Sequence, residues 1–213
     1  MKNEYNSTID EFNQVEHSSK LILSSFKELK PNKSTLIGTI LSIGFGALGA
    51  YLVGWAEETI ELLSQTASIL LNIKIALFGC IFAVYSIIIS FLSDDMMKRL
   101  SAIPSSKDNA ASILKKYTRY FESILFQFFI GICISGIVSL FCVWMPSNYR
   151  LTHSLIFDNT IATSLLFLYF YFSFRLIYEI KSMVYNTVQL YRYSIAFKFI
   201  AFVKDEKNDN KID

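Results

Sequence analysis

Arg175 and Glu179 stand one helical turn apart in a largely apolar run, and Lys74 stands alone in another. Ionisable groups inside membrane-length apolar segments mark ion paths, proton relays or buried pairs. These three residues therefore pose the first chemical question. Glu179 is placed to pair with Arg175 at i,i+4. Lys74 lies about five residues in from the outer end of its run, from where its stem is expected to carry the ammonium outward to Glu57, Glu58 or Glu61. Arg175 has a second reading. Thr160, Ser164, Tyr171, Arg175 and Tyr178 follow one another at three-, four- or seven-residue steps, which puts them on one helix face. Ser164, Tyr171, Arg175 and Tyr178 are thus candidates for a polar face that, turned into a bundle or oligomer, would line a water-filled path and favour anions or gate cations.

Other chemistry is poorly provided for. Cys80, Cys133 and Cys142 form no C-x-x-C pair, which a thiol oxidoreductase would need, and they are expected to be buried thiols. His17 and His153 stand far apart with no ligand cluster around them. Asp94 and Asp95 are interfacial and Glu122 begins an apolar run, so no carboxylate pair sits at depth for acid–base work. No Gly-rich phosphate loop precedes a soluble helix. The expectation is a non-enzyme without metal or cofactor. A proton-coupled exporter is disfavoured as well, because the first and third apolar runs carry no embedded acid.

The elements that hold these residues follow from composition. Only 18% of the 213 residues are charged while 53% are apolar and 15% aromatic, which is unlike a soluble domain. The apolar residues gather in windows near 36–55, 69–92, 123–145 and 159–180, each of about 20 residues and long enough as a helix to cross a bilayer. The predicted fold is all-α, a polytopic membrane protein with four transmembrane helices over 34–180. The first window follows a long polar start and lacks an A-x-A site, so it reads as a retained span rather than a signal peptide.

Charge orients the chain. The segment after span one, AEETIELLSQTA, carries three Glu and no basic residue, and the loop after span three carries only Arg150. Basic residues collect instead in or beside the N-terminal segment, the 93–121 loop and the C-terminal region, so both termini are expected in the cytoplasm. Trp55 and Trp144 then fall at outer span ends, where Trp favours the interface. The net charge of +2 is a topological asymmetry, and no direct nucleic-acid binding is expected.

Outside the spans the chain stays periodic. In 1–33, Phe12, Val15, Ile22, Phe26 and Leu29 recur at helical steps, and Pro31 closes the segment. In 93–121, a helix is expected to start at Asp108 and run into span three, with Lys115, Lys116 and Arg119 at the headgroups. In 181–203, Val184, Val188, Tyr191, Ile195, Phe199 and Phe202 form another stripe, followed by a polar tail at 204–213 that is expected to be disordered. Phe12, Phe26, Ile195 and Phe199 are the candidate docking residues for a cytoplasmic protein partner.

Two ridges of small or polar residues run through the spans on a four-residue beat. Span one has Gly38, Ser42, Gly46, Ala50 and Gly54; span three has Ser123, Gln127, Gly131, Ser135 and Ser139. In lipid, small residues allow close backbone approach and polar ones need partners that hydrocarbon lacks. Both ridges are expected to face protein, either within the bundle or at a subunit interface of a homo-oligomer.

With its four short-looped spans, cytoplasmic termini and helical extensions, the chain resembles the small four-span membrane subunits of bacterial anti-phage systems, such as that of Kiwa. The resemblance implies an oligomer in the inner (cytoplasmic) membrane that detects envelope disturbance and signals to a cytoplasmic effector. A pore-forming effector is the alternative, and a small transporter the next.

Overall fold

The protein is described here from a computed structural model. The described residues are Ile22, Ser25, Phe26, 35–91, Met97, 104–106, 109–146 and 155–209. They are overwhelmingly helical: α1 (Leu36–Gly54), α2 (Thr59–Phe91), α3 (Ile113–Trp144) and α4 (Leu155–Asp209). All four are long and apolar enough to cross a membrane. In hydrocarbon every backbone N–H and C=O must find a partner within its own segment, and a helix meets that demand.

The helices outrun the apolar windows. The segment expected as a loop after span one is mostly the first turns of α2. The chain turns over only Trp55–Glu58, Thr59 Oγ1 donates to Ala56 O (2.8 Å), and Glu61 sits in the first turn where the helix dipole favours an acid. Leu63, Ala67 and Leu70 are buried at four- and three-residue steps and fix this extension against the core. The helix expected from Asp108 instead starts at Ile113. Asn109–Ser112 forms a strand, β2, paired antiparallel with β1 (Pro104–Ser106). Proline has no N–H to donate and suits a strand end or edge, which fits its place at the start of β1.

Two compact units emerge. One comprises Leu21–Cys80 and Ser123–Ile180. Its core gathers Ala50, Val53, Leu63, Ala67, Leu70, Cys142, Leu166, Tyr169 and Phe170. Within it α1 lies on α4. A β-carbon on Gly46 would stand 3.0 Å from the Tyr171 backbone nitrogen, one on Gly54 would stand 2.5 Å from Thr163 Oγ1, and one on Gly38 would run into the Tyr178 ring. Gly38, Ser42, Gly46, Ala50 and Gly54 are all buried, so the beat is the seam of an intrachain helix pair. The opposite face of α1, with Ile37, Ile40, Leu41 and Leu48, is exposed and bulky, while Phe45 at the flank lies near the Phe174 ring of α4.

The other unit is built from the described parts of Ile81–Glu122 and Lys181–Asp213. Here the Tyr85 ring lies 5.9 Å from that of Phe121, and Ile81, Phe121, Met183 and Leu190 are buried.

Candidate functional site in the bundle interior

Lys74 lies near the middle of α2, deeper than its apolar window suggests, because the helix begins at Thr59. Its ammonium does not snorkel. It is fully buried and donates to Ser135 Oγ (2.7 Å), Ser173 Oγ (2.8 Å) and Gly131 O (3.4 Å). Three N–H donors thus meet three acceptors from two other helices. Gly131 lets Leu176 pack beside the node, since a β-carbon there would stand 2.6 Å from Leu176 Cδ1 while only touching the Lys74 stem at 3.5 Å. The Tyr169 ring centroid lies 5.0 Å from Nζ, within cation–π range. The Tyr169 hydroxyl shares a hydrogen bond with Ser135 Oγ (3.1 Å), while Ser173 Oγ donates to Tyr169 O (2.8 Å). Every partner of Lys74 is neutral. Among the described residues no carboxylate pairs with it.

Arg175 and Glu179 form the expected i,i+4 pair, and the pair is buried. Arg175 Nε and Nη2 have no hydrogen-bond partner among the described residues. Tyr171 and Tyr178 flank it on Gly46 and Gly38, which closes that part of the polar face with α1. Ser164 is exposed, and its hydroxyl donates to Thr160 O (2.8 Å) within its own helix.

On α3, the ridge turns inward with Lys74 at its centre. Ser123, Gln127 and Ser135 are buried, and the Ser139 hydroxyl is buried with no hydrogen-bond partner among the described residues. Gln127 Nε2 donates to Ser25 O (2.7 Å) and to Ser123 Oγ (3.4 Å). Ser25 is itself buried, and Phe26 beside it lies 6.1 Å from the Phe172 ring. Helical residues of the N-terminal segment therefore meet the spans, and Phe26 has an intrachain contact. Phe12 lies outside the described residues, as do His17 and His153. Ile195 and Phe199 are exposed on α4.

Cys142 is buried as expected. Cys80 and Cys133 are exposed instead, because they fall on the outward faces of α2 and α3, and all three are free thiols. Sequence reasoning missed the Lys74 node. The signal for it was Ser135, a hydroxyl on a ridge that needed a donor.

No family model matches this chain, and neither a curated protein nor a solved structure matches it. Function must come from the geometry.

Proposed function

We propose that this multi-pass membrane protein is a non-catalytic component of the bacterial inner membrane, with both termini cytoplasmic, that senses or anchors at the bilayer and couples to a cytoplasmic protein partner in anti-phage defence. One observation carries the reading. The helix that brings Tyr169, Ser173 and Arg175 into the bundle continues without interruption to Asp209, far beyond the roughly 20 residues a bilayer requires, and presents Tyr191, Ile195 and Phe199 exposed on that extension. A change in the polar interior has a continuous helical route to a surface fit for docking. The expected homo-oligomer would have to use the bulky outer faces, because both small-residue ridges are occupied within the chain. The pore reading draws less support, since Tyr171 and Tyr178 rest on α1.

The test is native mass spectrometry after expression from the native locus and extraction in mild detergent. A soluble protein retained by the chain, and lost with Phe199→Ser, supports coupling. A chain that arrives alone and depolarises cells when overproduced overturns it in favour of the pore.

A further inference from the structure

Among the described residues, the Lys74 cation is held by neutral groups alone. The surroundings of Lys74 are specific on each side. From α3 come Gly131 O and the Ser135 hydroxyl, and from α4 come Ser173 and Tyr169. Tyr169 is the one titratable group in that contact. The charged residues further along α4, Arg175 and Glu179, pair with each other, and α1 carries no charge. A structural lysine buried in a membrane would be expected to pair with an acid. This one does not.

We propose that Lys74 is a reversible proton-binding site, the element through which this membrane component reads protonation. The proposal rests on the sensing function above. Both protonation states can be hydrogen-bonded without moving a helix, the ammonium state leaving only the Tyr169 hydroxyl proton without an acceptor among these groups. As an ammonium, Nζ donates to Gly131 O, Ser135 Oγ and Ser173 Oγ, and the Ser135 hydroxyl donates to Tyr169. When the proton leaves Nζ, the amine keeps two N–H groups for Gly131 O and Ser173 Oγ and gains a lone pair. The Ser135 hydroxyl turns to donate to that lone pair, and the Tyr169 hydroxyl turns to donate to Ser135 Oγ. One proton and one positive charge leave the node, and neither Ser135 nor Tyr169 changes its own proton count. The 3.1 Å Ser135–Tyr169 bond, in which either oxygen can donate, permits the reversal.

Access for the proton runs along the same ridge. Ser123, Gln127, Ser135 and Ser139 lie at four- and eight-residue intervals over about 24 Å of α3, most of a hydrocarbon core of about 30 Å. Among the described residues the Ser139 hydroxyl and Gln127 Oε1 have no partner; they sit to either side of the node with their hydrogen-bonding capacity unused. Buried polar atoms of this kind hold water when space allows, and water completes a relay.

The experiment is 15N NMR of the full chain in lipid nanodiscs, with lysine labelled at Nζ and the pH stepped. Lys74→Met assigns the signal by its loss. The expected result is a solvent-protected Nζ resonance that passes from ammonium to amine at a midpoint separate from the other lysines. Ser135→Ala and Tyr169→Phe, which keep the lysine, should each displace that midpoint, whereas a lysine that is merely structural would keep its charge over the pH range and show no midpoint to displace. If the resonance stays ammonium throughout, titrates with the exposed lysines, or ignores both variants, the proposal is overturned. If Lys74→Met fails to fold, Lys74→Arg supplies the assignment. The readout needs no partner, so a titrating Lys74 in a chain that captures no protein would sink the coupling function and leave the proton site standing. A captured partner with a silent Lys74 would do the reverse.

Discussion

Gly46 packs so closely on Tyr171 that an added β-carbon would stand 3.0 Å from the Tyr171 nitrogen and 3.1 Å from its Cα. Backbone cannot yield as a side-chain tip can. Gly46→Leu should therefore part α1 from α4 and cost about 1–3 kcal/mol. Gly44, Gly79 and Gly136 face open space, and alanine at each should leave stability unchanged or raise it by up to about 1 kcal/mol. Unfolding midpoints in detergent compare the series. Equal losses at 44 and 46 would show that the ridge does not meet α4.

At Lys74 the acceptors should matter more to stability than the cation. Lys74→Met replaces a buried charge with an apolar side chain of similar length, a change that is often neutral or stabilising. Ser135→Ala or Ser173→Ala leaves the ammonium short of an acceptor and should cost about 1–3 kcal/mol. The same midpoint assay decides the order, and a Met variant weaker than both alanines would contradict it.

Arg175 and Glu179 should behave as one unit. Losing either partner strands a buried charge at about 3–5 kcal/mol. The double variant Arg175→Met with Glu179→Met should lose far less than the two single changes combined, as a double-mutant cycle would measure. Additive losses would mean that the two side chains do not share their burial.

Gln127 is the described polar tie between α3 and the N-terminal segment. In a chain carrying Cys80→Ala, Cys133→Ala and Cys142→Ala, a Ser25→Cys thiol should react slowly with a soluble maleimide, because Ser25 is 1% exposed. Adding Gln127→Leu should quicken the reaction severalfold. An unchanged rate would show that the segment is held by other contacts.

The spans and the inward turn of both ridges were legible in the sequence, because hydrophobic runs and small residues report directly on lipid and on close approach. Helix ends were less so. Hydropathy stops at the lipid boundary, while backbone hydrogen bonding continues through Thr59–Ala67 and past Ile180. Lys74 was misjudged for the same reason, since a window starting at residue 69 put it near the surface. Its acceptors Ser135 and Ser173 lie 61 and 99 residues away, and local spacing carries no information about them. Cys80 and Cys133 could be placed in spans but not on faces, because a small soft side chain suits lipid and protein alike.

The pairing of α1 with α4 also governs how the protein is made. Gly46 leaves the ribosome 125 residues ahead of Tyr171. At synthesis rates of about 5–20 residues per second, the first span waits roughly 6–25 s in the membrane for the surface it fits. During that interval its glycine groove is open to any passing helix, the insertion machinery included. The surface that closes it lies on α4, which is synthesised after the other described spans, so a chain truncated before residue 155 should reach the bilayer with α1 still unmatched, a natural substrate for membrane quality control.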